Sequence, residues 1–234
     1  MIVKKIIETS LIDWEGKIVT TLYVPNCNFR CPFCYNYDLV LNPDIFEYIP
    51  LDKIENFLLE RKNFIDGICL SGGEPTLQTD LLVYLKEIKN KGFLIKLDTN
   101  GSNPEVLEQI ISANLVDYIA MDIKSSLDLS SYVQASGVKD KKWLERVKRS
   151  IKLIMKSNID YEFRTTVVPV LHSEATILKL ARYIFGAKKY VLQKFLPDQN
   201  TLDTNFNKLK PYNDEKMQQL VDKVKGYVED CSYR

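Results

Sequence analysis

Cys27-Asn28-Phe29-Arg30-Cys31-Pro32-Phe33-Cys34 follows directly on an apolar run that Pro25 stops. Three thiols fall within eight residues, with gaps of three and then two. Gaps that short let one compact inorganic centre reach all three thiolates. A 4Fe-4S cube usually takes four cysteines. With three, one iron stays open to bind something else. The competing reading is a structural zinc site, which wants four ligands, commonly as two separated pairs. Its fourth ligand would have to be His172, Cys69 or Cys231. Three-then-two spacing is unlike the usual zinc pairs.

Outward from the cysteines, the chain alternates. Ile18 to Val24 reads as a buried strand that delivers the cysteine loop at its C-terminal end. Ile54, Phe57, Leu58 and Arg61 sit at helical spacing within Leu51–Lys62. Asp66–Leu70 is a short strand closed by Ser71-Gly72-Gly73. Leu81, Leu82, Leu85 and Ile88 make a helix that Gly92 can terminate. Phe93–Leu97 is a strand, stopped by Asp98-Thr99-Asn100-Gly101, and Asn103-Pro104 opens the next helix. Val116–Met121, Tyr161–Val168 and Tyr190–Phe195 are the later strands. Trp143 to Met155, Ile177–Phe185 and Asp214–Val228 are the later helices, and Ile2 to Ile7 adds a strand before the series.

Six β-then-α units of this kind imply a parallel sheet with right-handed crossovers. They are too few to close an eight-stranded barrel. The expected fold is α/β, a partial (β/α)6 TIM-like barrel of parallel strands, with an open doubly wound sheet second. One domain is expected over 1–234, with a core at about 17–196 and a C-terminal helix at about 213–229. Ligands of such folds gather beyond the C-terminal ends of the strands, and the polar motifs of this chain fall there.

Composition narrows the partners. Hydrophobic residues at 45% and charged residues at 27% are globular values. A net charge of +1 gives no electrostatic footprint for nucleic acid. No long apolar run follows the N-terminus, so neither a signal peptide nor a membrane span is expected. Five cysteines, three of them clustered, fit a reducing compartment, and the expected location is the cytoplasm.

The strand-end motifs each have an ordinary reading as well. Gly72-Gly73-Glu74-Pro75 lets a backbone approach a ligand closely, with Glu74 as a fixed acceptor for an ammonium. Alone, it is also a plain βα turn. Asp98-Thr99-Asn100-Gly101 could hold a ribose, a carboxylate or a monovalent cation, or be ordinary turn chemistry. Asp122 and Lys124 close the following strand, as a surface pair or as partners of a zwitterion. Arg164, inside a strand, needs a carboxylate partner, and Glu162 on the same face could serve. His172 reads as a loop histidine, Cys69 as an apolar strand residue, and Lys139–Lys156 as a solvated helix face.

Taken together these residues resemble the radical S-adenosylmethionine (SAM) superfamily, whose signature is C-x3-C-x2-C with an aromatic before the last Cys, here Phe33, and a Gly-Gly-Glu-Pro motif after the next strand. Cys27-Asn28-x-Arg30-Cys31-x-x-Cys34-x-Asn36, with Asp98-Thr99-Asn100-Gly101 and Asp122-x-Lys124, is similar to the glycyl-radical-enzyme activating enzymes. Thr9-Ser10-Leu11-Ile12-Asp13-Trp14-x-Gly16-Lys17 and Arg164-Thr165-Thr166-Val167-Val168-Pro169 resemble the activating proteins of anaerobic ribonucleoside-triphosphate reductase.

The resemblance implies that Cys27, Cys31 and Cys34 hold a 4Fe-4S cluster whose open iron binds SAM. It places Gly72, Gly73 and Glu74 at the amino group of SAM. Thr99, Asp122 and Lys124 would meet ribose or carboxylate, or a monovalent cation with Asp98. Arg164 would meet the carboxylate, Phe33 the adenine, and Asn36 belongs to the same cofactor site. The implied partners are a glycyl-radical enzyme as protein substrate and a ferredoxin or flavodoxin as electron donor.

There are departures. Tyr35 stands where many relatives have His, Glu15 where Pro is common, and Leu192-Gln193-Lys194-Phe195 lacks a His used by some activators. Between Cys34 and Glu74 there is only Cys69, so a second cluster there is excluded. Two rivals are a 7-carboxy-7-deazaguanine synthase-like enzyme acting on a small pterin, and a non-catalytic zinc-binding module.

Overall fold

The computed structural model describes residues 1–197 and 200–234. Among them are eight strands, which follow one another in the sheet in chain order. The fold class is α/β, with mostly parallel strands. Two compact units divide the chain. The first takes Met1–Asn28, Asn36–Thr99 and Glu105–Ile119, and the second takes Phe29–Tyr35, Asn100–Pro104 and Ala120–Arg234.

In the first unit β1 (Lys5–Ser10) lies antiparallel on β2 (Val19–Val24), with its register shifting between Ile7 and Ser10. Strand β2 runs parallel to β3 (Gly67–Gly72), from Val19 opposite Gly67 to Val24 opposite Gly72. Strand β3 runs parallel to β4 (Leu94–Thr99). Consecutive residues of β2 are buried, as expected for a strand covered on both faces. Helix α1 (Tyr37–Leu41) follows the cysteine loop. Helices α2 (Leu51–Glu60) and α3 (Leu81–Asn90) bury Ile54 and Leu58, and Leu81, Tyr84, Leu85 and Ile88. Ile54, Leu58, Leu81, Leu85 and Ile88 are positions whose helical spacing identified them; Phe57 and Leu82 are only half-buried, and Tyr84 fills the place next to Leu85 instead. Helix α4 (Pro104–Ser112) starts at its proline, and β5 (Tyr118–Asp122) follows.

The second unit holds a helix that periodicity does not reveal, α5 (Leu129–Ser136). Asp128 caps it, accepting from Ser131 N at 3.0 Å, and Gly137 ends it in the left-handed region. It buries Tyr132, Ala135 and Ser136, too few apolar residues to set a period. Helix α6 (Lys141–Lys156), capped by Asp140, precedes β6 (Asp160–Val167). Helix α7 (Glu174–Tyr183) leads to β7 (Lys189–Lys194).

The last helix, α8 (Asp214–Val224), stops four residues short of the expected Val228. The chain then forms β8 (Asp230–Tyr233), parallel to β7. Asp-Cys-Ser-Tyr carries no alternation of polarity. Main-chain bonds hold this edge strand, among them Lys194 N to Arg234 O (2.8 Å) and Arg234 N to Leu192 O (3.1 Å). No helix among the described residues is long and apolar enough to cross a membrane.

Candidate functional site

In the first unit, the residues entering Cys27 are tied to the Gly-Gly-Glu turn. Gly73 N donates to Val24 O (2.8 Å) and Glu74 N to Asn26 O (2.7 Å). Gly72 has φ +106°, and a Cβ on Gly73 would stand 1.8 Å from Asn26 O. Both positions therefore need glycine. Asn36 Nδ2 donates to Gly72 O at 3.2 Å, so the residue just past the cysteines fixes the same turn.

Glu74 is fully buried. Its Oε1 accepts from Thr76 N (3.1 Å), Thr76 Oγ1 (2.6 Å) and Thr99 Oγ1 (2.8 Å). Glu74 and Thr99, read separately in the sequence, are thus one hydrogen-bonded group. Asp98 accepts from Ser71 Oγ at 3.1 Å. Lys96 Nζ lies 3.0 Å from the other Asp98 oxygen and donates to Asp13 O at 2.5 Å. Lys96 is 2% exposed. Its place in Leu94-Ile95-Lys96-Leu97, an otherwise apolar run, was the available signal, and the sequence reading missed it.

In the second unit, the loop 29–35 packs on its own neighbours. Phe29 sits edge-on to Tyr132, with ring centroids 6.3 Å apart. Cys34 N donates to Cys31 O (3.1 Å), Asp203 N to Pro32 O (2.9 Å) and Leu202 N to Cys34 O (3.2 Å). Tyr35 stacks on Phe195 at 6.0 Å, and its hydroxyl accepts from Leu196 N at 2.6 Å. That packing gives the departure from His at position 35 a local use. Cys31 is buried, Cys27 and Cys34 are half-buried, and none of the three is in a disulfide.

Asp122, Lys124 and Arg164 form an ion triad. Arg164 Nε donates to one Asp122 oxygen at 2.7 Å and Lys124 Nζ to the other at 2.9 Å. Glu162 is the weaker neighbour of Arg164, at 3.9 Å, and takes Arg234 at 2.8 Å. Desolvation pushes the Asp122 carboxyl up, but the Arg164 and Lys124 cations outweigh it and hold it well below the usual carboxylate range. Burial works against the charge on Lys124, yet Asp122 first, then Cys31 and Cys34, keep the ammonium protonated above its ordinary value.

His172 is not a loop residue without a role. It is fully buried. Nδ1 accepts from Val168 N (3.0 Å) and Nε2–H donates to Lys124 O (2.7 Å). Its ring meets Phe33 edge-on at 6.3 Å. Both nitrogens are engaged by backbone, which removes His172 as the fourth ligand of a zinc site. Among the described residues, no three His, Cys, Asp or Glu side chains are grouped as one metal ion would need. A cube asks less of its ligands, since each thiolate meets its own iron.

The donor set fits such a cube. Three thiols are unbridged, and an ammonium close to Cys31 and Cys34 favours the thiolate forms that ligate iron. The structure brings Asn36, Gly72, Gly73, Glu74, Asp98 and Thr99 together in the first unit. In the second it brings Cys31, Phe33 and Cys34 together with Asp122, Lys124 and Arg164.

The sequence profile of the radical SAM superfamily matches residues 21–184. The chain belongs to this superfamily. Membership makes it a radical SAM enzyme and implies a 4Fe-4S cluster and SAM. A protein of Methanocaldococcus jannaschii, named "putative glycyl-radical enzyme activating enzyme", is 32% identical over 237 residues, covering 100% of this chain and 95% of that one. The 7-carboxy-7-deazaguanine synthase of Thermoplasma acidophilum is 26% identical over 138 residues, 58% of this chain and 60% of that one. Streptococcus suis SuiB superposes with a TM-score of 0.65 at 18% identity, over 92% of this chain and 50% of its own. The chain therefore spans half of SuiB. That likeness concerns the fold alone, and it bears out the partial-barrel class expected of this radical SAM chain.

Proposed function

We propose that the protein installs a glycyl radical on a partner enzyme, and that the partner is an anaerobic ribonucleoside-triphosphate reductase. One observation carries the first part: the likeness to the Methanocaldococcus jannaschii protein runs through the whole of this chain. The synthase likeness stops at 58% of it. The reductase as partner rests on Thr9–Lys17 and Arg164–Pro169, which resemble the activators of that enzyme.

Cys27, Cys31 and Cys34 hold the cluster in this reading. When bound, the cluster and SAM supply reductive cleavage to methionine and a 5′-deoxyadenosyl radical, which takes hydrogen from a glycine Cα. The chain's own residues bind and orient. Gly72 and Gly73 offer backbone to the amino group of SAM, and Glu74 with Thr99 keeps that turn in place. The ion triad presents Lys124 and Arg164 to the carboxylate, with Asp122 holding both cations at fixed distances. Phe33, whose ring meets His172 edge-on, would meet the adenine, and Asn36 holds the Gly72 carbonyl. Lys96 already sets a positive charge on Asp98, so a monovalent cation there is not part of the proposal. A ferredoxin or flavodoxin delivers the electron.

The test is anaerobic reconstitution with iron and sulfide, reduction, and mixing with candidate proteins. A glycyl signal in electron paramagnetic resonance on the reductase supports the reading. Turnover of a pterin with no glycyl signal would sink it in favour of the synthase. Cys31→Ala should lose both the iron-sulfur absorbance and SAM cleavage. Cleavage surviving in that variant would remove the cysteine assignment.

A further inference from the structure

Residues 139–156 carry charge out of proportion to the chain. Eight cationic side chains stand there against two carboxylates, Asp140 and Glu145, while the whole chain is +1. Packing does not ask for this. Helix α6 buries Leu144, Val147, Ser150, Ile151 and Ile154. Lys148, Lys152 and Lys156 repeat every four residues, a like-charge spacing that disfavours the helix.

The basic run begins two residues after Gly137, where the chain meets Arg30 of the cysteine loop. Arg30 is exposed between buried Phe29 and buried Cys31. Its amide donates to Ser136 O at 2.8 Å. A Cβ on Gly137 would stand 2.6 Å from Arg30 O and 2.9 Å from Arg30 Cβ, so glycine at the end of α5 is what lets the two segments meet. Lys139, Lys141 and Lys142 follow at once, all exposed. Lys142 pairs with Asp140, but with the side chains 69% and 52% exposed the pair is solvated and weak.

We propose that Arg30, Lys139, Lys141 and Lys142 form the docking surface for an acidic protein that carries single electrons. The proposal rests on the cluster reading above. Arg30 is the chain neighbour of Cys31, so a carrier seated there is one residue from a cluster ligand. Encounters between redox proteins are small and short-lived, and charge steers them more than apolar area holds them. In the transfer, the carrier's reduced cofactor gives up one electron and the cluster passes from the 2+ to the 1+ state. No bond forms or breaks.

The experiment compares the cluster-loaded protein with a Lys139→Glu/Lys141→Glu/Lys142→Glu variant, using a purified flavodoxin of net negative charge. Calorimetric titration measures association, and anaerobic stopped flow measures cluster reduction by flavodoxin hydroquinone and by dithionite. Association with the unmodified protein should weaken at least about tenfold from about 20 to about 300 mM salt. The variant should bind and be reduced by flavodoxin at least about tenfold less well at low salt. Its dithionite-driven SAM cleavage should be unchanged. The milder Lys139→Gln/Lys141→Gln/Lys142→Gln variant should fall between. Equal binding and equal reduction by flavodoxin in all three proteins overturns the proposal. So does a variant that keeps flavodoxin kinetics but loses affinity for the glycyl-radical partner or for a DNA duplex. Failure of the cluster reading itself would look different: no SAM cleavage by the unmodified protein with dithionite.

Discussion

Burial keeps the His172 ring neutral. Desolvation pulls its pKa down to about 4, against the Nε2–H bond to Lys124 O, which favours charge. The unfolded chain takes up that proton near the ordinary value of about 6.5. The folded pKa is the lower one, so this contribution to stability is full above about pH 6.5 and shrinks as pH falls toward 4. Between pH 7 and pH 5 the loss is about 2 kcal/mol. Asp122 does not confuse that window, because its depressed pKa costs stability only at lower pH. As His172 is the only histidine, urea unfolding of metal-free protein at the two pH values isolates it. The slope should vanish in His172→Gln, and a persisting slope would place the titrating group elsewhere. Lys96 allows a second test at this scale. Lys96→Met leaves Asp98 without its cation at the cost of roughly 3–5 kcal/mol expected when a buried pair loses one partner. Added potassium should raise the melting temperature of the variant and leave that of the unmodified protein unchanged. An equal response in both would mean that Lys96 does not fill the cation's place. Neither role was legible beforehand. A lone Lys among apolar strand residues and a lone loop His gain meaning only when Asp13, Asp98 and the Lys124 carbonyl are in place around them.

At the scale of elements, the turn after β3 is the most constrained feature. Gly73→Ala would put a methyl 1.8 Å from a backbone oxygen of Asn26, which no rotamer change relieves. It should cost about 1–3 kcal/mol and impair iron-sulfur incorporation, since Asn26 adjoins Cys27. Gly226→Ala, with nothing within 4 Å, should stay within about 0.5 kcal/mol. Chemical denaturation and iron content of the two variants check the contrast, and equal losses would overturn it. Glycines at a strand end before an acidic residue, like cysteines at short gaps, are visible in sequence because no other residue types do their work. The six strand–helix units were legible for a related reason, as residues such as Leu81, Leu85 and Ile88 recur with the helical period. Helix α5 and strand β8 were not. Caps at Asp128 and Gly137 hold the first, and main-chain bonds to β7 hold the second, and neither leaves a period in the side chains.

For the whole molecule, the issue is whether two compact units mean two folding units. Neither unit is a continuous stretch: the second takes in Phe29–Tyr35 and Asn100–Pro104 besides Ala120–Arg234, and β5 is divided between them at Ile119 and Ala120. Independent domains are normally joined by exposed linkers that few contacts cross. A boundary that falls inside the short strand Tyr118–Asp122 leaves no stretch of chain for such a linker. We therefore propose that the chain unfolds as one domain. The two tryptophans report on the units separately. Trp14 is buried with Val19 and Cys69 in the first and tilts against Tyr118 at 5.7 Å. Trp143 lies on α6 in the second, with the Arg146 guanidinium 5.8 Å from its ring. Single-tryptophan variants, Trp14→Phe and Trp143→Phe, should each give a fluorescence transition in urea that coincides with that variant's own far-ultraviolet circular dichroism. Non-coincident transitions within either variant, with one reporter lost before the backbone signal, would show that the units melt apart and that the chain holds two domains.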